Sequence, residues 1–263
     1  MKSIVITGAF GGMGKATAEI LSKRGYRIFA LDLKSEELGE NICPIKTDIR
    51  DEKSIKDAFA KVCAITDSVD AIIHFAGLYM LDSLVEIDEE SFDKIFDVNL
   101  KGAYSVNKIF LPLLKKGAKI VITTSELATL DPLPFTGIYA VTKAALDKYA
   151  FALRMELQLR DISVSVLRAG AVETSMLGAS CAALDAFSQN TKLYSCNAKR
   201  FKDIVERVEA RSVSPVKIGE KMSKIVEKSK PKFAYSINRN PLLRLLNLLP
   251  TRIQLRIIRK ILK

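Results

Sequence analysis

The stretch T7-G-A-F-G-G-M-G-K-A-T17 places four glycines within seven residues, directly after the strand-like run Ser3–Thr7. A glycine-rich turn between a strand and a helix can hold phosphate groups, because backbone N–H groups and the helix N-terminus face the ligand. A P-loop requires G-x-x-x-x-G-K-[ST]. Ala9 stands where its first glycine belongs, and Ala16 stands where its Ser or Thr belongs. The turn therefore predicts a dinucleotide site rather than a triphosphate site.

Two spacings of a dinucleotide turn fit these glycines. Gly8, Gly12 and Gly14 match one spacing, and Gly8, Gly11 and Gly14 match the other, which belongs to a different class of enzymes. The first spacing makes Gly8, Gly12, Met13 and Gly14 the predicted cofactor contacts. The glycines alone leave both spacings open.

Asp32 lies 24 residues after Gly8, at the end of the second predicted strand. A carboxylate at this place can accept hydrogen bonds from the adenosine ribose and repels a 2′-phosphate. Lys34 is the nearby cation that would soften this preference. Asp32 therefore predicts NAD(H) rather than NADP(H) as the cofactor.

The bulk composition is that of a globular protein, with 263 residues, 48% apolar and 27% charged. Its four cysteines form no CxxC pair and it has one histidine, so no metal site is expected. We expect a cytoplasmic protein, because the N-terminus has no signal-like segment and no apolar run reaches membrane-span length.

The net charge of +11 is concentrated near the C-terminus. Residues 228–263 hold ten Lys and Arg and no acidic residue, which leaves about +1 for residues 1–227. This distribution argues against a nucleic-acid-binding role for the main body.

Apolar, β-branched runs alternate with helical patterns along the chain. The predicted strands are Ser3–Thr7, Arg27–Leu31, Cys43–Lys46, Ala71–Phe75, Lys119–Thr123, Ser163–Leu167 and Lys232–Ser236, and the predicted helices cover 13–24, 51–65, 89–116, 137–160 and 215–228. Near-continuous apolar strands indicate a parallel sheet with both faces covered. The pattern predicts an α/β fold, a Rossmann-like doubly wound sheet in one domain over residues 1–240.

Y139-A-V-T-K143 lies inside the predicted helix 137–160. The i,i+4 spacing puts the phenol and the ammonium on one helix face. A nearby ammonium lowers the pKa of a phenol, which favours proton transfer near neutral pH. Tyr139 and Lys143 are therefore candidate catalytic residues, although such a pair on a solvated helix is also common.

Several motifs occur in a fixed order along the chain, and together they resemble the compact branch of the short-chain dehydrogenase/reductase family. They are T7-G-A-F-G-G-M-G14, Asp32, T47-D48-I49, H74-F-A-G77, D97-V-N-L100, T123-T-S125, Y139-A-V-T-K143 and R168-A-G-A-V-E-T174. The resemblance covers residues 1–174.

The resemblance implies a catalytic role for four residues. Tyr139 would be the general acid/base, and Lys143 would bind the nicotinamide ribose and lower the pKa of Tyr139. Ser125 would hydrogen-bond the substrate oxygen. Asn99 would hold a backbone kink and a water linked to Lys143.

The resemblance also implies cofactor contacts outside the glycine turn. Asp48 would receive the adenine amino group and Ile49 would pack near the adenine. Ala76 and Gly77 would line the adenosine side. Val172 and Thr174 would fix the nicotinamide carboxamide.

Three positions depart from the family pattern. His74 stands where the family usually has Asn, and we interpret this sole histidine as structural. Ala169 replaces the usual Pro. The interval from Ser125 to Tyr139 is one residue longer than is most common, which leaves Thr124 as a second candidate, and we choose Ser125.

Residues 175–212, small, polar and irregular before a charged helix-like segment, stand where the family has its substrate lid. The lid offers the apolar residues Met176, Leu177, Ala182, Ala183, Leu184 and Phe187. They favour a hydrophobic alcohol or ketone, such as a steroid, a retinoid or an acyl chain.

Residues 241–263 are predicted to form a basic amphipathic helix. One half of its wheel carries Ile253, Leu255, Ile257, Ile258, Ile261 and Leu262, with Gln254 intruding, and the other carries Arg252, Arg256, Arg259, Lys260 and Lys263. Such a helix fits a peripheral contact with a membrane surface or an anionic partner. Packing on its own subunit or across a dimer fits equally well.

The sequence thus predicts an NAD(H)-dependent oxidoreductase that interconverts a secondary alcohol and a ketone on a hydrophobic small molecule. The resemblance implies a homodimer or homotetramer formed through helices 89–116 and 137–160. Two alternatives stay open: a sugar-nucleotide epimerase or dehydratase, permitted by the Gly11 spacing, and a non-catalytic dinucleotide sensor recruited to membranes by its tail.

Overall fold

The strands form one parallel sheet in the computed structural model, which describes residues 1–208 and 212–263 without the side chains of residues 176, 177, 179–181 and 206–208. The strands are β1 Ser3–Thr7, β2 Arg27–Asp32, β3 Ile42–Lys46, β4 Val69–His74, β5 Leu114–Ser125, β6 Ser163–Ala169 and β7 Ala234–Ile237. Their order is β3-β2-β1-β4-β5-β6-β7. The strand order reverses between β1 and β4, which opens a crevice at their carboxyl ends.

Helices cover both faces of this sheet, as predicted for a doubly wound fold. They are α1 Gly12–Lys23, α2 Glu52–Cys63, α3 Glu89–Phe96, α4 Gly102–Phe110, α5 Gly137–Leu157, α6 Ser175–Asn190, α7 Ser195–Val208, α8 Pro215–Glu227, α9 Pro241–Asn247 and α10 Thr251–Leu262. Apolar residues of α2, α4 and α5 pack on one face, and those of α1 and α8 pack on the other. The central strands β1 and β4 are mostly apolar and almost fully buried, as expected where helices cover both faces of a parallel sheet.

Two segments differ from the sequence prediction. The expected single helix 89–116 is interrupted by a π-helical turn, Asp97–Lys101, and ends at Phe110 before a 3₁₀ turn and β5. Within the segment 175–212, the part expected to be irregular forms α6, and the expected charged helix-like segment forms α7. Leu184, Phe187 and Phe201 of these helices are buried in a shared apolar cluster. Tertiary packing thus accounts for α6, whose local sequence pattern did not predict a helix.

The C-terminal tail also differs, because it forms two helices instead of one. The helical conformation is interrupted before Pro250, which lies between α9 and α10. Proline has no N–H to donate and disfavours a helical conformation in the residue before it. Across the described residues, no helix is both long enough and apolar enough to cross a bilayer.

The side chain of His74 lies inside the sheet, 4% exposed, at the end of β4. Its Nε2 is 2.9 Å from Asn107 Oδ1 and its Nδ1 is 3.4 Å from Thr7 Oγ1. Asn107 in turn donates to the Tyr149 hydroxyl at 3.1 Å. These contacts join β1, β4, α4 and α5, which supports the structural interpretation of His74.

Burial lowers the pKa of His74 from its ordinary value of 6.5 to about 4. The unfolded chain therefore binds a proton between these values that the folded chain does not, so stability falls as pH drops from about 6.5 to about 4. We expect this residue alone to cost roughly 2 kcal/mol of unfolding free energy at pH 5. Urea denaturation at pH 7.5 and pH 5 measures the loss.

The matched control is His74→Asn, which keeps a hydrogen-bonding side chain but cannot titrate in this range. Carboxyl groups contribute equally to the acid sensitivity of both proteins. The wild type should therefore lose more stability than the variant by the His74 contribution. Equal losses in the two proteins would show that His74 is not buried in its neutral form.

Candidate active site

The glycine turn after β1 is closed so tightly that side chains do not fit at two of its positions. Gly8 has φ +66°, and a Cβ built there would lie 2.5 Å from Ala76 N. A Cβ on Gly14 would collide with Gly8 O and lie 2.8 Å from Ala9 Cα. The turn is thereby pressed against the start of the loop after β4.

The two glycine spacings left open by the sequence differ at Gly11 and Gly12. A Cβ on Gly12 would lie 2.8 Å from Thr174 Cγ2, whereas one on Gly11 would meet only Gly8 O at 3.4 Å, an ordinary contact. Backbone atoms therefore exclude a side chain at positions 8 and 14, the Thr174 side chain crowds position 12, and position 11 has room for one. Thr174 is thus brought against the glycine turn, as expected for a residue at the cofactor site.

The N-terminus of α1 offers three backbone amides to a ligand. Lys15 N donates to Gly11 O at 2.8 Å, so the N–H groups of Gly12, Met13 and Gly14 precede this helical hydrogen bond. They lie at the positive end of the helix dipole. An anion such as a pyrophosphate fits these donors.

Asp32 ends β2 beside the same turn. One of its carboxylate oxygens accepts a hydrogen bond from Phe10 N at 3.0 Å, and the other accepts one from Lys34 N at 3.3 Å. The carboxylate is half-buried, so it keeps an accessible edge. Asp32 thus holds the glycine turn in place and presents negative charge next to it.

The predicted adenine contacts lie at the end of β3. Asp48 is paired with Arg50, whose Nη2 lies 2.7 Å from Asp48 Oδ2, and the hydrogen bonds from this guanidinium lower the pKa of Asp48. Ile49 is buried against Gly102 at the start of α4. Its side chain also belongs to the apolar core, which the sequence did not reveal.

Tyr139 lies in the first turn of α5 and is 8% exposed. Its hydroxyl is hydrogen-bonded with the side chain of Ser125 at the end of β5. Thr124, the second candidate from the sequence, instead donates its hydroxyl to Asp147 Oδ1 at 3.2 Å. The structure therefore brings Ser125, and not Thr124, to Tyr139.

Lys143 lies one turn after Tyr139, with its Nζ 5.6 Å from the centroid of the phenol ring. Burial lowers the pKa of this ammonium to about 8, so it remains charged at neutral pH. Burial also raises the pKa of Tyr139, while the Ser125 hydrogen bond lowers it. The net direction is opposite to the lowering expected from the Lys143 spacing, because desolvation of the phenol outweighs the Ser125 hydrogen bond.

Asn99 lies in the π-helical turn, where its amide clamps a neighbouring loop. Its Oδ1 accepts from Leu78 N at 2.7 Å, and its Nδ2 donates to Leu78 O at 2.9 Å and to Thr142 Oγ1 at 3.0 Å. A Cβ on Gly77 would lie 3.2 Å from Lys143 Nζ and 3.5 Å from Asn99 Oδ1. Asn99, Gly77 and Lys143 therefore meet at one point beside Tyr139.

Val172 and Thr174 lie in the loop after β6, where Thr174 approaches Gly12 of the glycine turn. Val172 is buried and forms an isolated parallel bridge with Val213, which ties this loop to the segment before α8. Thr174 is the residue before α6. The two residues thus connect the turn to the lid helices.

The sequence analysis missed two aromatic residues, of which Tyr79 lies next to these groups and Phe135 lies in the apolar cluster of the lid. The ring of Tyr79 packs on Tyr139 with 4.9 Å between centroids. Phe135, with φ +68°, contacts the rings of Phe187, Tyr194 and Phe201. Neither residue belongs to a motif, so no sequence signal identified them.

The lid supplies an apolar wall on this side of the site. Leu184 and Phe187 are buried in a cluster that also includes Leu81, with Tyr79 packed against it. Ala183 packs at its edge and Ala182 is exposed. The side chains of Met176 and Leu177 lie outside the described part of the structure.

Known proteins with similar sequences agree with the family resemblance of the motifs. A family model described as short chain dehydrogenase matches residues 2–185. Estradiol 17-beta-dehydrogenase 2 of Mus musculus is 31% identical over 192 residues, which are 67% of this chain and 50% of that protein. The chain therefore spans half the length of this relative. 3-Ketodihydrosphingosine reductase of Bacteroides thetaiotaomicron is 26% identical over 231 residues, 88% of this chain and 85% of the relative.

Solved structures share the fold at low identity. A short chain dehydrogenase family protein from Francisella tularensis has a TM-score of 0.76 at 23% identity, covering 90% of this chain and 97% of the other. 3-Ketoacyl-(acyl-carrier-protein) reductase from Brucella melitensis, complexed with NADH, has a TM-score of 0.74 at 22% identity, covering 90% and 96%. The family model covers well over half of this chain, and the protein belongs to the short-chain dehydrogenase family of oxidoreductases.

Proposed function

We propose that this protein is an NAD(H)-dependent oxidoreductase that interconverts a secondary alcohol and a ketone on a hydrophobic substrate. The observation that carries the proposal is the meeting of Ser125, Tyr139, Lys143 and Asn99 in one buried site beside the glycine turn. These side chains supply a proton donor, a hydroxyl for the substrate oxygen and a fixed positive charge. That set suits carbonyl reduction.

The residues around the turn fit a dinucleotide. The amides of Gly12, Met13 and Gly14 suit a pyrophosphate, and the Asp32 carboxylate suits ribose hydroxyls. Asp48, Ile49, Ala76 and Gly77 would line the adenosine side, and Val172 and Thr174 would hold the carboxamide. The bound nicotinamide would exchange a hydride with the substrate carbon.

The side chains of this protein would handle the proton. In reduction, the Tyr139 hydroxyl donates its proton to the substrate oxygen, and in oxidation the phenolate takes that proton back. The Ser125 hydroxyl donates a hydrogen bond to the same oxygen and orients it. The raised pKa of Tyr139 keeps the phenol protonated at neutral pH, which favours its acid role.

Lys143 and Asn99 would support this transfer. The charged Lys143 stabilises a phenolate formed at Tyr139, and its ammonium would bind the nicotinamide ribose. Asn99 holds the backbone of Leu78 through two hydrogen bonds, next to the loop that carries Tyr79. It would thereby position the floor of the site and the water linked to Lys143.

An apolar substrate is supported by the wall beside Tyr139. Tyr79 packs on Tyr139 and also on the apolar cluster that contains Phe135, Leu184 and Phe187. The names of two relatives point in the same direction, to a steroid alcohol and to a long-chain keto compound. A hydroxysteroid, a retinoid or an acyl chain is the proposed substrate class.

The test is the initial rate of NADH and NADPH oxidation with a panel of steroid, retinoid, acyl and sugar ketones. We expect turnover with apolar ketones, and a higher kcat/KM for NADH than for NADPH. Asp32→Asn keeps an acceptor for Phe10 N but removes the charge, so it should reduce the NADH preference about tenfold or more.

Glu40→Gln is the matched control, because Glu40 is exposed just before the start of β3. It therefore lies near the amino ends of the strands, whereas Asp32 lies at the carboxyl end of β2. It should leave the cofactor preference unchanged. Binding of NADH without turnover of any ketone would contradict the catalytic proposal and favour a dinucleotide sensor.

We also propose a homodimer or homotetramer formed through α3, α4 and α5. These helices expose large apolar side chains, namely Phe92, Tyr104, Val141, Phe151 and Met155. Such a patch is typical of a subunit interface. Light scattering measures the mass in solution, and a monomer at micromolar concentration would contradict this assembly.

A further inference from the structure

The outward face of α9 is formed by leucines. Leu242, Leu245 and Leu248 recur every three residues and are 59%, 61% and 81% exposed. The helix is fixed in this orientation at its start. Asn240 accepts hydrogen bonds from Leu242 N and Leu243 N, and Asn240 N donates to Glu126 Oε2 at 2.7 Å. The protein thus holds a row of leucines in a defined position at its surface.

The second tail helix, α10, packs on the rest of the protein through only a few of its residues. Leu262 and Gln254 are buried, and Gln254 Nε2 donates to Asp131 Oδ2 at 3.3 Å and to Leu249 O at 2.9 Å. Asn197 of α7 donates to Leu262 O at 2.7 Å. Packing on the subunit therefore uses only part of the apolar half predicted from the sequence.

The rest of that apolar half remains exposed. Ile253, Leu255 and Ile261 are 43%, 65% and 48% exposed. Packing on its own subunit thus does not account for the amphipathic pattern of the tail. An apolar surface of this kind, on both tail helices, is typical of an interaction site.

The charge around this surface has one sign. Residues 228–263 contain ten Lys and Arg and no acidic residue, and Arg252, Arg256, Arg259 and Lys260 of α10 are exposed. Within the described ranges 1–208 and 212–263, no salt bridge involves a residue of α9 or α10. These charges are available to an anionic surface.

We propose that α9 and α10 form a docking surface for a membrane that exposes anionic lipid. The leucines and isoleucines would enter the boundary between headgroups and acyl chains, and the Arg and Lys side chains would contact lipid phosphates and carboxylates. The helices would lie on the membrane rather than cross it.

Charge favours lipid over a second copy of this chain as the occupant. Two tails facing each other would bring two all-basic segments together, and like charges across an interface are repulsive. Residues 1–227 carry a net charge of about +1, so the body as a whole offers no acidic counterpart. An anionic bilayer supplies both the apolar layer and the negative charge.

Docking in this way would bring the lid to the membrane. Leu262 and Ile258 of α10 pack in the same apolar cluster as Leu184 and Phe187 of the lid. If the proposed apolar substrate is correct, this arrangement lets it pass between the lipid and the site. The membrane contact itself does not depend on that substrate.

The test is co-sedimentation of the full chain with two kinds of vesicle. One contains phosphatidylcholine alone, and the other also contains about 30 mol% phosphatidylserine, which gives its surface a negative potential. We expect binding to the anionic vesicles only, weakened by added salt. The triple variant Leu242→Ser, Leu245→Ser, Leu248→Ser and the triple variant Arg252→Gln, Arg256→Gln, Arg259→Gln should each weaken binding about tenfold or more.

Two control variants test whether binding depends on where the basic residues and leucines lie or only on how many the protein has. Lys53→Gln, Lys56→Gln, Lys61→Gln makes the same charge change on exposed residues of α2, and Leu159→Ser changes a leucine that is 85% exposed elsewhere. Both should bind as the wild type does. Circular dichroism should show all variants folded, since every altered side chain is exposed.

Full-length protein that stays in the supernatant with both lipids would overturn the proposal. So would controls that lose binding as much as the tail variants, because binding would then reflect net charge alone. Loss of a dimer by light scattering in the leucine variant, without vesicle binding by the wild type, would assign the surface to a second copy instead.

Discussion

Tyr139→Phe is expected to lower kcat for ketone reduction by about 10²- to 10⁴-fold, the usual contribution of a general acid. The variant loses only the hydroxyl that is hydrogen-bonded with Ser125. The ring and its tilted contact with Tyr79, with 4.9 Å between centroids, remain, so the site should keep its shape. The Kd for NADH should change less than about threefold, because the hydroxyl's main role is in the transition state. Stopped-flow reduction and a fluorescence titration measure the two quantities.

Tyr149→Phe provides the control on the same helix. Its hydroxyl accepts a hydrogen bond from Asn107, away from Ser125 and Lys143. Removing it should leave kcat within about twofold, as for a residue outside the reacting groups. A Tyr139→Phe enzyme with nearly normal kcat would exclude the phenol as proton donor, and a sensor role would then gain support.

The sheet could be predicted from sequence because its cause is local. The central strands are short runs rich in apolar, β-branched residues, and both of their faces are buried, so their pattern is strong. The glycine turn, Asp32 and the Tyr139–Lys143 pair are also local patterns with fixed spacing. The parallel sheet of seven strands was confirmed, with strand ends shifted by a few residues.

The interrupted helices could not be predicted in the same way. The π-helical turn at Asn99 depends on hydrogen bonds from that side chain to Leu78, a residue in a distant loop. The lid helices α6 and α7 depend on a cluster that also draws in residues near position 80 and from α10. A pattern read along one segment does not contain such partners. Pro250, by contrast, was a visible signal for the break in the tail, and the single-helix prediction neglected it.

The pKa of Tyr139 illustrates a limit of reasoning from spacing. The i,i+4 lysine correctly places an ammonium near the phenol, 5.6 Å from the ring centroid. The spacing does not tell how deeply the pair is buried. Burial raises the pKa of Tyr139 and lowers that of Lys143 to about 8. Desolvation of Tyr139 depends on neighbours from other segments, such as Tyr79 and Ile95, which only the fold brings together.

The glycine turn gives the second large effect. Gly14→Ala is expected to raise the Kd for NADH about ten- to hundredfold, equivalent to the cost of overpacking a closed site. The new Cβ would collide with Gly8 O and approach Ala9 Cα, both backbone atoms that cannot rotate away. The turn must then open, which moves the amides of Gly12 and Met13. Isothermal titration with NADH measures the loss.

Gly11→Ala is the matched control, because the same methyl group is added three residues earlier in the same turn. Its Cβ would meet only Gly8 O at 3.4 Å, and the backbone of Gly11, at φ −70° and ψ 158°, suits alanine. The Kd should therefore stay within about twofold of the wild type, as for a substitution without strain. Alanine has a higher helix propensity than glycine by about 1 kcal/mol, so weaker binding at position 14 cannot come from helix propensity. If Gly11→Ala weakened NADH binding as much as Gly14→Ala, the Gly8/Gly11/Gly14 spacing would be the functional one, and the assignment of the turn would have to change.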